Sequence, residues 1–203
     1  PHTSMITAGK PVTGEQLIGR QKEIDTINRY LDMGQSVVLI APRRYGKTSL
    51  LLEILQQRKK RGDYTASVDF FATPDMLSLA AEITTRVLSN KKWSWSVYQL
   101  RTHLVELMKN LQFRQAIDQY EFILGFGNAQ PDNWEMLTES LKLIDRFASS
   151  NKKRIICGFD EFGDVEKLDG DRIVKLFRSV IQVQKESVYL FAGSYESVMN
   201  RIF

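Results

Sequence analysis

The stretch SVVLIAPRRYGKTSLLLEIL, residues 36–55, decides the fold of this chain. Its apolar beginning is typical of a buried strand, and a short loop containing Pro42 and Gly46 follows. The aliphatic residues after the loop have the spacing of a helix face: Leu50, Leu51, Ile54 and Leu55. Strand, loop and helix in this order form the setting of a phosphate-binding loop, because backbone N–H groups at the start of the helix converge on an anion.

Side chains within this loop predict the ligand. Lys47 would place its ammonium group on the β- and γ-phosphates, and Thr48 would bring a hydroxyl to Mg²⁺. We therefore expect ATP or ADP with Mg²⁺. The predicted binding residues of the loop are Pro42, Arg43, Arg44, Tyr45, Gly46, Lys47, Thr48 and Ser49. The two arginines either touch phosphate or stack against neighbouring helices.

Ala41 stands where the usual pattern of such loops has its first glycine. If this position needs a positive φ, alanine costs about 1–2 kcal/mol there, whereas at negative φ the exchange is nearly neutral. A helix can also begin with Gly-Lys-Thr by chance. The strand before the loop and the acidic strand end described next favour the phosphate-binding interpretation.

Polar residues end two further predicted strands. Residues 154–159 form an apolar strand that ends in Asp160 and Glu161. A carboxylate at position 160 can reach the water shell of Mg²⁺, and Glu161 can orient or deprotonate an attacking water. Taken alone, this pair could simply begin a surface loop. Ser194 follows the strand at residues 188–192 and either senses the γ-phosphate or caps the next helix.

Length and composition suit one domain of ordinary size. The chain has 203 residues, 43% of them hydrophobic, and a net charge of +4, which permits contact with nucleic acid without indicating it. The single cysteine, Cys157, excludes an internal disulfide and fits a reducing, cytoplasmic compartment. No run of 18 apolar residues predicts a membrane span. Residues 1–4, before Met5, resemble an expression-tag remnant, and we expect residues 5–203 to form the domain.

Helical and strand patterns alternate along the chain, which predicts an α/β fold with a parallel sheet covered on both faces. A second strand is predicted at residues 64–71, and a helix capped by Thr73 opens a helical insertion at about 74–150. A further helix is predicted at residues 171–184.

Several residues allow two interpretations. The basic cluster at residues 58–61 either stabilises a helix end capped by Gly62 or contacts nucleic acid. Arg178 either forms a surface salt bridge or acts as an arginine finger toward a neighbouring subunit. Asp69 supports the metal site or forms a strand-end hydrogen bond. Trp93 and Trp95 pack the helical insertion or stack bases.

Four segments together resemble the archaeal-type P-loop ATPases, a group in the signal-transducing branch of the AAA+-like ATPases. They are IGR at residues 18–20 with Glu23, APRRYGKTSLL at 41–51, FDEF at 159–162 and FAGS at 191–194. The resemblance implies a sheet of order 5-1-4-3-2, an adenine site beside Ile18 and Gly19, and Ser194 as the sensor. It makes Lys47, Glu161 and Ser194 the expected catalytic set, and Thr48 and Asp160 the expected metal ligands.

Relatives in this group continue with a fifth strand, a helical lid and usually a winged-helix domain, all of which would lie beyond Phe203. Without them we expect weak turnover and an open edge at the first strand, which would favour a homo-oligomer or cover by another segment such as residues 5–17.

Three functions remain open at the level of sequence. The first is an ATP-hydrolysing module that works as a nucleotide-controlled switch for a protein partner, a lid or a winged-helix domain. The second is a DNA-linked ATPase of replication, transposition or mobile-element maintenance. The third is a scaffold that binds ATP with little turnover, and the presence of both Asp160 and Glu161 disfavours it.

Overall fold

The computed structural model describes residues 19–42, 44–91 and 132–194. In these ranges the chain runs through α1 (Gln21–Asp32), β1 (Val37–Ile40), α2 (Lys47–Arg61), β2 (Tyr64–Asp69), α3 (Met76–Leu88), α4 (Asn133–Ser150), β3 (Ile155–Asp160), α5 (Glu166–Ile181) and β4 (Ser187–Gly193). Short 3-10 turns follow β2 and β3, at Phe70–Ala72 and Phe162–Val165.

The four strands form one parallel sheet of order β1-β4-β3-β2. This confirms the predicted α/β class and the 1-4-3-2 part of the predicted order, including the separation of β3 from β1 by β4. Because all four strands are parallel, their last residues Ile40, Asp69, Asp160 and Gly193 lie along one edge of the sheet, which we call the carboxyl edge. Open α/β sheets bind ligands at this edge.

Helices cover both faces of the sheet, as the alternating pattern predicts. On one face α1 and α2 pack against β3 and β4 through Ile24, Ile27, Leu31, Leu50, Leu51, Ile54, Leu55, Ile156, Val188 and Leu190. On the other face lie α3, α4 and α5, with buried residues that include Ile83, Leu137, Ile144, Phe159, Phe177 and Phe191. Both central strands, β3 and β4, are therefore buried along their whole length.

A glycine allows α2 to lie close to the sheet. A Cβ atom added to Gly158 in β3 would lie 2.7 Å from Cδ1 of Leu55 and 2.8 Å from Cδ2 of Leu51. Such distances are too short for carbon atoms, so the absence of a side chain at this position sets how closely α2 approaches β3. Since α2 begins at Lys47, this packing also fixes the helix that carries the predicted phosphate site.

Some element boundaries differ from the predicted ones. β2 ends at Asp69 because Phe70–Ala72 turns away as a 3-10 helix. The cap of α3 is Asp75, whose carboxylate accepts the N–H of Ser78 at 2.7 Å, whereas the hydroxyl of Thr73 donates to the carbonyl of Phe70. α5 begins at Glu166, but its helical geometry is interrupted at Asp169 and Gly170, so its regular part starts at the predicted Asp171.

The helices α3 and α4 lie between β2 and β3 and confirm a helical insertion there. The predicted piece that carries Trp93 and Trp95, and the helix predicted after Ser194, lie outside the described residues. No helix within the described ranges is long and apolar enough to cross a membrane.

One residue of the basic cluster at the end of α2 has a structural role, because it connects the ends of α1 and α2. Arg58 is only 4% exposed, and its guanidinium pairs with Asp63 at 2.7 Å and with Asp32 at the end of α1. Gly62 has a φ of 103° and caps the helix, as predicted. Arg58 is therefore not available for a nucleic-acid surface.

Candidate functional site

The loop between β1 and α2 has the backbone of an anion-binding turn. Arg44 has a φ of 67° and Gly46 a φ of 72°, so two residues close to the start of α2 adopt the left-handed conformation. Alternation of this kind turns successive N–H groups toward one point. Positive φ among the described non-glycine residues is confined to Arg44, Lys152 and Glu161, so Ala41 replaces the usual glycine without that strain.

Lys47 links the loop to the tip of β4. Its side chain is almost fully buried, and Nζ donates to the carbonyl oxygens of Ala41 at 2.8 Å and Pro42 at 3.0 Å and to Oγ of Ser194 at 3.0 Å. Two residues predicted from motifs 147 positions apart are thus in direct contact. All three acceptors are uncharged oxygen atoms, and charged phosphate oxygens could replace them as hydrogen-bond acceptors.

Two acids lie one strand away, at the end of β3. Asp160 is 5% exposed, and its Oδ1 accepts the N–H of Glu161 at 3.0 Å. Glu161 has a φ of 47°, and its carbonyl accepts the N–H of Asp164 at 2.9 Å. The left-handed conformation is costly for a residue with a side chain, and strain of this kind is concentrated at functional sites.

Further carboxyl groups lie near Asp69 at the end of β2. Asp69 is the partner of Asp160 in the register of β2 and β3. Partial burial of the carboxyl raises the pKa of Asp69, and the negative charges of Asp160 and Asp164 add to this, although N–H groups of Phe71 and Ala72 act in the opposite direction. Asp164 is paired with Lys167 at 2.8 Å. The hydrogen bond from Phe71 to Asp69, at 3.0 Å, agrees with the strand-end alternative for this residue.

The donor set at this edge suits a magnesium ion. A hydroxyl from Thr48 and a carboxylate from Asp160 are hard oxygen ligands, which Mg²⁺ prefers. Within the described ranges no group of three or more His, Cys, Asp or Glu side chains could hold a metal by itself.

Arg20 is a contact of the loop for which the sequence predicted no role. Its Nη1 donates to the carbonyl oxygens of Tyr45 at 2.9 Å and Gly46 at 3.3 Å. Its Nε and Nη2 bind Glu23 at 2.7 and 2.6 Å. The two loop carbonyls are 25 and 26 residues away, so no local pattern could reveal the contact.

For the remaining predicted residues, the structure gives a location and a degree of exposure. Tyr45 is 66% exposed, Pro42 is exposed, and Ser49 is buried in the first turn of α2. Arg178 is exposed on α5, and the structure leaves the arginine-finger alternative as a prediction. Ile18 and Arg43 lie outside the described residues. Cys157 is fully buried in β3, which agrees with a core position.

Residues 17–202 match a protein family described as "ATPase domain predominantly from Archaea". Among curated proteins none matches.

Solved structures show the same fold at low sequence identity. A Walker-type ATPase of Pyrococcus abyssi has a TM-score of 0.62 and 16% identity over 97% of this chain and 51% of that one. The Orc1 protein of Aeropyrum pernix, solved in complex with DNA, has a TM-score of 0.53, 13% identity and coverages of 90% and 41%. Cdc6p from Pyrobaculum aerophilum has a TM-score of 0.54, 11% identity and coverages of 95% and 43%. The chain thus spans about half or less of the length of these structures.

Proposed function

Since this chain belongs to the family of ATPase domains found predominantly in Archaea, we propose that it binds ATP with Mg²⁺, hydrolyses it, and works as a nucleotide-controlled switch. The observation that carries the proposal is the contact of Lys47 with Ser194, because it joins the phosphate loop to the tip of β4 beside the acidic end of β3. In a surface loop that contained Gly-Lys-Thr by chance, the lysine side chain would be expected to extend into solvent instead of being buried at the end of β4.

The phosphates would bind at the start of α2. Free N–H groups there and the positive end of the helix dipole favour an anion. Lys47 would exchange its carbonyl and hydroxyl partners for phosphate oxygens, which are stronger acceptors because they are charged. This exchange requires only a small movement of Lys47, since Nζ already lies within hydrogen-bond distance of the carbonyl of Ala41 in the loop and of Oγ of Ser194 at the end of β4.

Thr48 and Asp160 would hold Mg²⁺ between the loop and β3. When bound, the ion supplies positive charge to the phosphate oxygens. Asp160 is suited to this role because it is nearly buried at the carboxyl edge, where its charge is held by the N–H of Glu161.

Glu161 would act as the general base. It accepts a proton from a water molecule as the water oxygen bonds to the γ-phosphorus and the bond to the β,γ-bridging oxygen breaks, so ADP and inorganic phosphate leave. The backbone of Glu161 is held on both sides by the bonds to Asp160 and Asp164, which limits the positions its side chain can take. Ser194 would donate its hydroxyl to the γ-phosphate once Lys47 has moved to the phosphates.

The switch would follow from this exchange. With ATP bound, Ser194 and Lys47 both contact the γ-phosphate, whereas with ADP they return to each other. The end of β4 and the start of α2 would thereby report the nucleotide to a protein partner or to a lid or winged-helix domain of a longer chain.

The proposal is tested by Lys47→Ala, with Lys60→Ala as a control that removes an exposed lysine from the same helix. We expect the unsubstituted chain and Lys60→Ala to bind Mg·ATP equally in calorimetry and Lys47→Ala to bind it at least about 100-fold more weakly, the loss of charged hydrogen bonds of about 3 kcal/mol. Equal binding by both variants, or none by the unsubstituted chain, would contradict the proposed function.

A further inference from the structure

We propose that Arg20 is a positioning residue for nucleotide binding, which holds the phosphate loop from outside and thereby aims its N–H groups at the phosphates. This inference rests on the proposed function and adds the residue that sets the geometry of the loop. It starts from the contacts of Nη1 with the carbonyl oxygens of Tyr45 and Gly46.

The planarity of the peptide bond converts these contacts into an orientation of donors. The described chain has no cis peptide bonds, and in a trans peptide the C=O and the following N–H point in opposite directions. Holding the oxygen of Tyr45 therefore turns the N–H of Gly46 away from Arg20, and holding the oxygen of Gly46 does the same for the N–H of Lys47. These are the N–H groups next to the start of α2 that an anion would use.

Among the described residues of the loop, few other contacts hold this orientation. The bond from the N–H of Tyr45 to the carbonyl of Pro42 is long, at 3.4 Å, and both Arg44 and Tyr45 are exposed. The carbonyl of Gly46 is also engaged by the N–H of Leu50 in the first turn of α2, at 3.0 Å. The carbonyl of Tyr45, at 2.9 Å from Nη1, is thus the one that depends most on Arg20.

Gly46 and Glu23 both serve the position of the guanidinium. A Cβ atom at residue 46 would lie 3.2 Å from Nη1, a tight contact that the guanidinium could relieve only by shifting, and the positive φ of this residue favours glycine independently. Glu23 binds Nε and Nη2 and leaves Nη1 for the loop. This division requires the planar fork of arginine, because the compact ammonium group of a lysine cannot make both sets of contacts in one plane.

Charge supports the same role. Arg20 places a positive charge on the carbonyl side of the loop peptides, with its side chain 25% exposed. A cation at a carbonyl oxygen polarises the peptide and strengthens the N–H at its other end as a donor to an anion. The contribution is therefore specific to phosphate and should not affect contacts with the base or the sugar.

The test compares Mg·ADP with adenosine, which shares the base and sugar but has no phosphate. Calorimetry is carried out on the unsubstituted chain, Arg20→Ala, Arg20→Lys and Glu23→Gln. The control is Asp25→Asn, which alters a side-chain hydrogen bond with Gln21 on the same helix without touching the loop.

We expect Arg20→Ala to weaken Mg·ADP binding at least about tenfold, the equivalent of one charge-assisted hydrogen bond, and to change adenosine binding by less than about twofold. Arg20→Lys should recover only part of the loss. Glu23→Gln should weaken Mg·ADP binding to an intermediate extent in the native chain and have no further effect in Arg20→Ala, since it acts through Arg20. Asp25→Asn should bind as the unsubstituted chain does.

Two results would overturn the inference: unchanged Mg·ADP binding by Arg20→Ala and Glu23→Gln, or an equal loss for adenosine, which would indicate a general effect on folding. If Arg20→Ala does not fold, Glu23→Gln decides alone, because it keeps Arg20. If the unsubstituted chain binds no Mg·ADP, the proposed function fails as well. If it binds normally and only the variants show no defect, the inference about Arg20 fails by itself.

Discussion

Glu161 combines a left-handed backbone with the place expected for a general base. At a φ of 47°, a residue with a Cβ atom costs about 1–2 kcal/mol relative to a relaxed backbone, whereas glycine avoids this cost. We therefore expect Glu161→Gly to be more stable than Glu161→Ala by about 1 kcal/mol in urea denaturation, while both variants should hydrolyse ATP at least about 100-fold more slowly than the unsubstituted chain. A Glu161→Ala variant as stable as Glu161→Gly would show that the backbone at this position is not strained.

Asp69 makes the stability of the fold depend on pH. Its pKa is raised above the ordinary value of 3.8, so the folded chain holds this proton more tightly than the unfolded chain does. The stabilisation is complete below pH 3.8 and is lost as the pH rises through the higher, folded pKa.

Asp69→Asn should consequently be more stable than the unsubstituted chain at pH 7, and the difference should shrink toward pH 4. The asparagine retains an oxygen to accept the N–H of Phe71, so this bond does not confound the comparison. Urea denaturation without nucleotide at several pH values measures the difference, with Asp25→Asn as the control. A gain that is the same at pH 4 and pH 7 would disprove the electrostatic origin.

The sequence was most informative for residues whose chemistry repeats a known spacing. The placement of Lys47, Ser194 and Asp160 at one edge of the sheet could be predicted because a phosphate-loop pattern and two polar strand ends are local features of the sequence, whereas the roles of these residues stay predictions. The contact of Arg20 with the loop could not be predicted, because it joins positions 25 residues apart. The left-handed φ of Glu161 also leaves no trace in the sequence, since glutamate is not a residue that favours it.

The packing of α2 on β3 depends on Gly158. A methyl group there would overlap Leu55 and Leu51, so we expect Gly158→Ala to destabilise the fold by about 1–3 kcal/mol, the usual cost of overpacking. Leu55→Ala removes one of these two overlaps and leaves that with Leu51, so the double variant should lose at least about 0.5 kcal/mol less than the sum of the two single variants.

A matched comparison separates this contact from general destabilisation. Leu137 is buried, as Leu55 is, but it lies on the opposite face of the sheet. Gly158→Ala with Leu137→Ala should therefore be additive within about 0.5 kcal/mol in urea denaturation. If Gly158→Ala is additive with Leu55→Ala as well, the side chain at residue 158 does not limit how closely α2 packs on β3.

The ends of α1 and α2 are joined through Arg58. The Arg58 side chain in its ion pairs with Asp32 and Asp63 is buried from water. Arg58→Ala should therefore lower the free energy of unfolding by about 2–3 kcal/mol, the range of charged hydrogen bonds. Its neighbour Lys59 is exposed, and Lys59→Ala should change the free energy of unfolding by no more than about 0.5 kcal/mol. If both variants change the free energy of unfolding by similarly small amounts, the ion pairs of Arg58 do not stabilise the fold.

Element boundaries were harder to predict than the elements themselves. The apolar spacing located α1, α2 and α4 because each buries one face. It placed the end of β2 at Phe71 instead of Asp69, because the 3-10 turn keeps Phe70 in the core and so continues the apolar run. It predicted the start of the regular part of α5 at Asp171, directly after the interruption at Asp169 and Gly170, but it did not predict the helical turn before that interruption.

For the molecule as a whole, the order of the strands was predictable only through the resemblance of the motifs to a family. Alternation of strands and helices predicts a parallel sheet, but it does not determine that β4 lies between β1 and β3. This order matters for function, since it sets Ser194 beside the phosphate loop and Asp160 one strand further away. If the proposed function holds, this arrangement should allow substitutions that affect hydrolysis without affecting binding.

Glu161→Gln offers the most direct measurement of the proposed function, with ATP binding and phosphate release followed on the same preparation. The substitution removes the proton acceptor and leaves Lys47, Thr48 and Asp160 in place. We expect Glu161→Gln to bind Mg·ATP as tightly as the unsubstituted chain while its single-turnover hydrolysis falls by about 100-fold or more, the scale of general-base catalysis. Equal rates of hydrolysis in the two proteins would contradict the role of Glu161, and an absence of hydrolysis in both would contradict the proposed ATPase activity.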